Sequence, residues 1–220
     1  MPRPHGSKNR DYDASRRALA KAVSAHLLRA DGEPSTFKDL AAGAGVSQQT
    51  LKHYFGDRAT LVRAAFEAIR DEASPYFDGL AERRASRAEL KAALVAELRG
   101  VVAAFRRFGF GRSFGSGLSL GLGHPTLGPA FVELILEPTF QSLERRLAHL
   151  MEDGQLAARS PRTAALSLLG PLVLALLHQD QLGGVACRPL DVDALIAEHV
   201  TAFLDGSSPR PARSRGPSSS

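Results

Sequence analysis

Gln48, Gln49, Thr50, Lys52 and His53 crowd polar and basic side chains into six positions. The first four match the chemistry of a nucleic-acid surface. A Gln carboxamide pairs in bidentate fashion with adenine, a Lys ammonium reaches guanine O6/N7, and a Thr touches a thymine methyl or a phosphate. For such groups to read a base edge they must stand together on one face of a short helix that fits the major groove.

The flanking residues supply that helix and hold it. Thr36 can cap a helix starting at Phe37, with Asp39 three residues on in the place of a capping-box acid. Leu40 and Ala41 face inward, and Ala41 is small enough for a second helix to cross closely over it. Ala44, Gly45 and Val46 make the turn, with Gly45 free to take a positive φ. Ser47 caps the next helix, which buries Val46, Leu51 and Phe55 and leaves residues 48, 49, 50, 52 and 53 outward. This is the layout of a helix-turn-helix.

The segment DLAAGAGVSQQTLKHYFGDRATL also resembles the TetR (tetracycline repressor) family of bacterial one-component regulators. The likeness lies in a DIA-type helix, an AGVS turn, a TLY-x-YF recognition helix and a Lys-led fourth helix, and covers about the first third of the chain. Two positions depart from that pattern: Lys52 stands where the family has tyrosine, and Arg58 where it has lysine. Arg58 keeps the charge and gains a fork suited to phosphate. The resemblance implies base contacts for Gln48, Gln49 and Lys52, and phosphate contacts for Ser47, Thr50, Tyr54 and Arg58. His53 is not assigned. The resemblance further implies an all-α fold, with an N-terminal three-helix DNA-binding head and a C-terminal helical core for ligand binding and dimerisation.

The rest of the chain reads as helices joined by short breaks, without the alternation of a sheet. Residues 12–30 place Leu19, Val23, Leu27 and Leu28 at helical spacing. Asp57 caps a fourth helix carrying Leu61, Ala65, Phe66 and Ile69, which Pro75 is expected to interrupt. Further helices are expected over about 88–108, 129–152, 162–182 and 191–205. Residues 1–11 form a basic arm in which Arg3, Lys8 and Arg10 are candidates for minor-groove or phosphate contact. Residues 12–56 form the DNA-binding domain, 57–205 the ligand-binding and dimerisation domain, and 206–220 a Pro/Ser/Arg-rich disordered tail.

The 162–182 segment is apolar nearly all round, so a second helical surface must cover it. In the family the last two helices pair into a four-helix bundle, which implies a homodimer through 162–182 and 191–205 with an isologous interface. Gly170-Pro171 is expected to kink the first of these helices or mark its start. Between the middle helices, residues 105–128 hold seven glycines and several phenylalanines. Family members have a short mobile helix there beside an inducer pocket. An apolar small-molecule effector is therefore expected, with Phe105, Phe108, Leu120, Phe131, Phe140 and Leu172 as its wall.

Charge follows the same division. The whole chain carries a net charge of +5. Residues 1–70 hold 12 Lys+Arg against 7 Asp+Glu, while residues 71–205 hold 13 against 16, so the helix-turn-helix end is the basic end. Enzyme signals are weak. GRSFG at Gly111–Gly115 fits G-x-S-x-G, yet a nucleophile elbow needs a preceding strand, and no acid accompanies His124 or His178. No P-loop or metal-ligand spacing is present, so no catalytic residues, metal or cofactor are expected. A lone Cys187 excludes an internal disulfide, and the N-terminus lacks a signal-peptide h-region. Leu166–Leu177 is shorter than the roughly 20 residues of a bilayer span. The expectation is a cytoplasmic, homodimeric transcriptional regulator without a membrane partner, a repressor that binds a palindromic operator and is released by its ligand. The alternative is a non-specific DNA-packaging or protein-interaction module with no ligand response.

Overall fold

The computed structural model describes residues 7–27, 36–107 and 110–207. The arm before Ser7, Leu28, Phe108 and the tail from 208 lie outside the described residues. Eleven α-helices and two π-helical turns make up the described chain, which holds no strand. They are α1 (Ser7–Leu27), α2 (Phe37–Gly43), α3 (Gln48–Phe55), α4 (Arg58–Ala81), α5 (Leu90–Arg107), α6 (Phe110–Gly123) and α7 (Leu127–Phe131). A π turn (Val132–Leu136) joins α7 to α8 (Glu137–Glu152). After α9 (Pro161–Leu176) comes the second π turn (Leu177–Gln181), then α10 (Gly184–Cys187) and α11 (Val192–Asp205).

The apolar interior falls into two clusters. One belongs to the body and gathers Leu94, Leu98, Phe105, Leu147, Leu168, Leu172, Leu176, Ile196 and Val200 from α5, α8, α9 and α11. The other joins the head residues Val23, Leu40, Leu51, Phe55, Leu61 and Phe66 to Leu127, Ala130, Phe131 and Leu134 from the α7 region. The head therefore has no separate core. It shares one with α7, and Phe114 of α6 packs against both clusters.

Three expectations need correction. Pro75 does not interrupt the fourth helix, since α4 runs 24 residues through it. Asp71 and Pro75 are both exposed, so water can serve the carbonyl that the proline leaves without a donor. Gly170-Pro171 does not mark the start of α9, which runs from Pro161 to Leu176 with Pro171 inside it. Pro171 leaves the Ser167 carbonyl without its helical N–H, and His199 Nε2 of α11 donates to that oxygen at 3.1 Å and to the Leu168 carbonyl at 3.0 Å. Two residues expected in the tail, Gly206 and Ser207, are among the described residues. Ser207 is buried, and its carbonyl accepts from Ala157 N at 2.7 Å.

Most of the glycine-rich segment is the helix α6. Its glycines serve close packing. A Cβ on Gly117 would stand 2.5 Å from the Phe131 ring, one on Gly111 2.7 Å from Phe105, and one on Gly128 2.9 Å from the Gly121 carbonyl oxygen. The missing side chains let α6 lie against α5, α7 and the second π turn.

Candidate nucleic-acid interface

Helices α2, α3 and α4 are each started by the cap expected of them. The Thr36 hydroxyl accepts from Asp39 N at 3.2 Å while the Asp39 carboxylate accepts from Thr36 N at 2.9 Å, a complete capping box. Hydrogen bonds from the Thr36 hydroxyl and then its backbone N–H hold the Asp39 carboxyl below the ordinary aspartate range. Gly45 takes φ +69° in the turn. Ser47 Oγ accepts from Thr50 N at 3.0 Å and lies 2.9 Å from Thr50 Oγ1. The Asp57 carboxylate accepts from Thr60 N at 2.8 Å at the start of α4, and hydrogen bonding with Thr60 holds that carboxyl low as well.

Within α3, Leu51 and Phe55 are buried while Gln48, Gln49, Lys52 and His53 are exposed. Thr50 and Tyr54 are half-buried at the edges of that face, and Arg58 is half-buried as the first residue of α4. The three base-facing candidates thus share one solvent-facing surface. Ser47 and Thr50 lie at its N-terminal end, where helix N–H groups suit a phosphate.

The aromatic clasp that holds α3 on α1 escaped the sequence reading. The Tyr12 ring sits 4.8 Å from Tyr54 and 5.9 Å from His53, and its hydroxyl reaches toward the carbonyls of both at 3.4 and 3.5 Å. The Arg16 guanidinium lies 5.1 Å over the Phe55 ring. His53 is thereby a packed surface histidine. Another unforeseen contact is Gly43, where an added Cβ would run into the His26 ring of α1. Nothing in local periodicity marks these pairs, because Tyr12 and Tyr54 are 42 residues apart.

Apolar and polar contacts connect the head to the body. Phe66 of α4 meets Phe131 at 5.9 Å, Phe131 meets Phe114 at 5.4 Å, and Phe114 meets Phe105 at 5.7 Å. Arg63 of α4 pairs with Glu133 of the first π turn at 3.1 Å. The expected ligand wall is distributed along this path. Phe105 and Leu172 are buried in the body cluster with Phe140 beside them, while Phe131 is buried in the head cluster and Leu120 packs on it. Phe114, not among the expected wall residues, is the side chain that bridges the two groups.

The expected dimer surface is half-satisfied within one chain. Residues Ala164, Ala165, Leu168, Leu169, Leu172, Ala175 and Leu176 of α9 are buried, but Leu166 and Leu174 on its other side are 43% and 68% exposed. With the π turn, α9 extends over Pro161–Gln181, long and apolar enough by length and composition to cross a bilayer. That revises the length judged from Leu166–Leu177 alone. Its buried face is packed into the body cluster against α8 and α11.

The acyl-transfer reading of Gly111–Gly115 does not survive. That segment lies inside α6, and no strand occurs among the described residues. His124 Nδ1 is within 3.0 Å of Thr126 Oγ1, and His178 Nδ1 within 2.6 Å of Gln179 Nε2. Among the described residues, no three His, Cys, Asp or Glu side chains gather as a metal site.

The described chain is thus a helix-turn-helix head on an all-helical body. No family model and no curated protein sequence matches the chain. Solved structures do. A TetR-family transcriptional regulator from Mesorhizobium loti superposes with a TM-score of 0.71 at 18% identity, covering 90% of this chain and 98% of that one. A TetR regulator from Agrobacterium tumefaciens gives 0.64 at 21% identity, covering 89% and 95%. The flavonoid-responsive regulator FrrA gives 0.64 at 21% identity, covering 90% and 100%. The fold of this chain is the TetR-regulator fold.

Proposed function

We propose that this chain is a sequence-specific DNA-binding transcriptional regulator, and not an enzyme. The observation that carries this is the exposed Gln48, Gln49 and Lys52 face of α3, raised on a capped, tightly packed head at the basic end of the chain. Gln48, Gln49 and Lys52 are assigned to base edges, and Ser47, Thr50, Tyr54 and Arg58 to phosphates. The protein acts as a homodimer through α9 and α11, an arrangement supported by the exposed Leu166 and Leu174, and reads a palindrome in the cytoplasm as a repressor.

An apolar small molecule is the proposed effector, bound beside Phe105, Phe140 and Leu172 of the body, with Leu120 and Phe131 on the head side. The response of FrrA to flavonoids is a property of that protein, but it supports testing planar aromatic compounds first. Ligand binding shifts the population toward a conformer with lower DNA affinity, by its differential affinity for the two states.

Selection of the purified protein against random duplex DNA at moderate salt tests the reading. The expected outcome is a palindrome with half-sites about 34 Å apart or a multiple of that. Lys52→Ala should then weaken binding by ~1–3 kcal/mol at one base pair. A uniform loss across all sequences, with no enriched palindrome, would instead establish a DNA-packaging module.

A further inference from the structure

The end of α4 remote from the head is held by a set of polar side chains that DNA and ligand binding leave unexplained. Arg146 of α8 is 1% exposed and Glu97 of α5 is 4% exposed, with Arg146 Nη2 2.7 Å from Glu97 Oε1. Arg146 Nη1 donates to the Arg83 carbonyl, two residues past the end of α4. One turn earlier on α8, the buried Ser142 hydroxyl donates to the Phe77 carbonyl at 2.5 Å, and Arg145 pairs with Asp78 at 3.4 Å. Gln155 Nε2, just beyond α8, donates to the Ala85 carbonyl at 3.1 Å. Side chains 142, 145, 146 and 155 thus converge on the last turn of α4 and the strap after it. The Arg146 guanidinium also stands just beyond the C-terminus of α4, the end whose partial negative charge a cation complements.

Burying an ion pair this completely is costly, and an apolar pair of similar volume is usually no less stable. Core stability alone therefore does not account for Arg146 and Glu97, whereas direction does. At 24 residues, α4 is about 36 Å long, so a tilt of about 5° at its anchored end moves the head end by ~3 Å. A displacement of that size separates a seated base contact from a broken one. Phe66 on Phe131 supports α4 nearer the head. Two supports define a line, and Arg146 supplies the far one.

We propose that Arg146, oriented by Glu97, is a positioning residue for DNA reading: it holds the Arg83 carbonyl just past the end of α4 and so sets where α3 stands relative to the body. The functional half of this rests on the DNA-reading proposal above.

The test is the paired variant Arg146→Met with Glu97→Leu, which removes both buried charges together and strands neither. Amide exchange over residues 80–86 reads the anchor without DNA. So does the distance between spin labels on Lys38→Cys and Glu152→Cys, in a Cys187→Ser background diluted with unlabelled chain. The expected result is an unchanged melting temperature with at least tenfold faster exchange, a broadened label distance, and at least fivefold weaker binding to the selected duplex. Parental exchange and distance, or a loosened anchor with parental DNA affinity, overturns the proposal. If the paired variant does not fold, Arg146→Lys keeps the buried cation but loses the fork that spans Glu97 and the Arg83 carbonyl, and parental exchange, distance and DNA affinity there overturn it equally. A parent chain that binds no duplex at all defeats the DNA-reading proposal, and exchange and label distance then decide the anchor on their own.

Discussion

Ser47 has two duties that a single substitution separates. Its hydroxyl caps α3 through Thr50 N and is also a proposed phosphate contact. Ser47→Ala should cost about 1 kcal/mol in stability, read as a lower urea midpoint with an unchanged slope, and should weaken DNA binding to every sequence alike. Asp39 and Asp57 make a pH-dependent contribution of the same kind. Both carboxyls titrate below the ordinary value of 3.8, because as caps they accept hydrogen bonds from Thr36 and Thr60. A depressed folded-state pKa contributes stability that is complete above the unfolded value and lost as pH falls through the folded one. The acid limb of the melting curve, below about pH 4, should therefore be shallower in the Asp39→Asn, Asp57→Asn double variant. Because both groups are solvent-exposed the difference is expected to be small, and parallel acid limbs would show that the caps do not supply it.

Helix α6 presents a packing problem solved by leaving side chains out. Phe131 is wedged between Phe66 and Phe114, so it has little room to yield to a methyl on Gly117, 2.5 Å away. Gly117→Ala should destabilise by ~1–3 kcal/mol despite alanine's better helix propensity. Gly79→Ala, where an added Cβ meets nothing within 4 Å, is the control expected to be neutral or slightly stabilising. In α9 the matching element-level device is His199, which serves the carbonyl that Pro171 leaves without a helical donor. His199→Leu should lower the melting temperature by the equivalent of about 1–3 kcal/mol. In a Pro171→Ala background much of that loss should disappear, since alanine restores the backbone N–H that the Ser167 carbonyl lacks.

The body buries one side of α9 and leaves Leu166 and Leu174 to solvent. On the proposed dimer, Leu174→Glu places a charge at the centre of an apolar contact. Sedimentation should then report a monomer whose helix content is intact, and affinity for a palindrome should fall toward that of a single half-site. A dimer of parental strength would move the interface elsewhere. The shared core of head and α7 adds a second expectation. Thermal unfolding should be one cooperative transition, because no apolar boundary follows the division expected near residue 57.

Local chemistry was enough to place the helix-turn-helix. Thr36, Gly45, Ser47 and Asp57 each act through bonds or dihedrals within a few residues, so their types and spacing sufficed to locate α2, α3 and the start of α4. The outward face of α3 followed from the same periodicity. What local chemistry could not decide was continuity and partnership. Pro75 reads as a break, and Pro171 as a kink or a helix start, because a sequence displays the lost N–H but not the water or His199 that answers it. The glycines of α6 permit both motion and close approach, and the close approach shows only once Phe131 and Gly128 are in place. Arg146 and Glu97, the Tyr12 clasp and the bridging Phe114 are contacts across tens of residues. Short-range physics writes a helix cap into the chain, whereas such pairings exist only once the helices have packed.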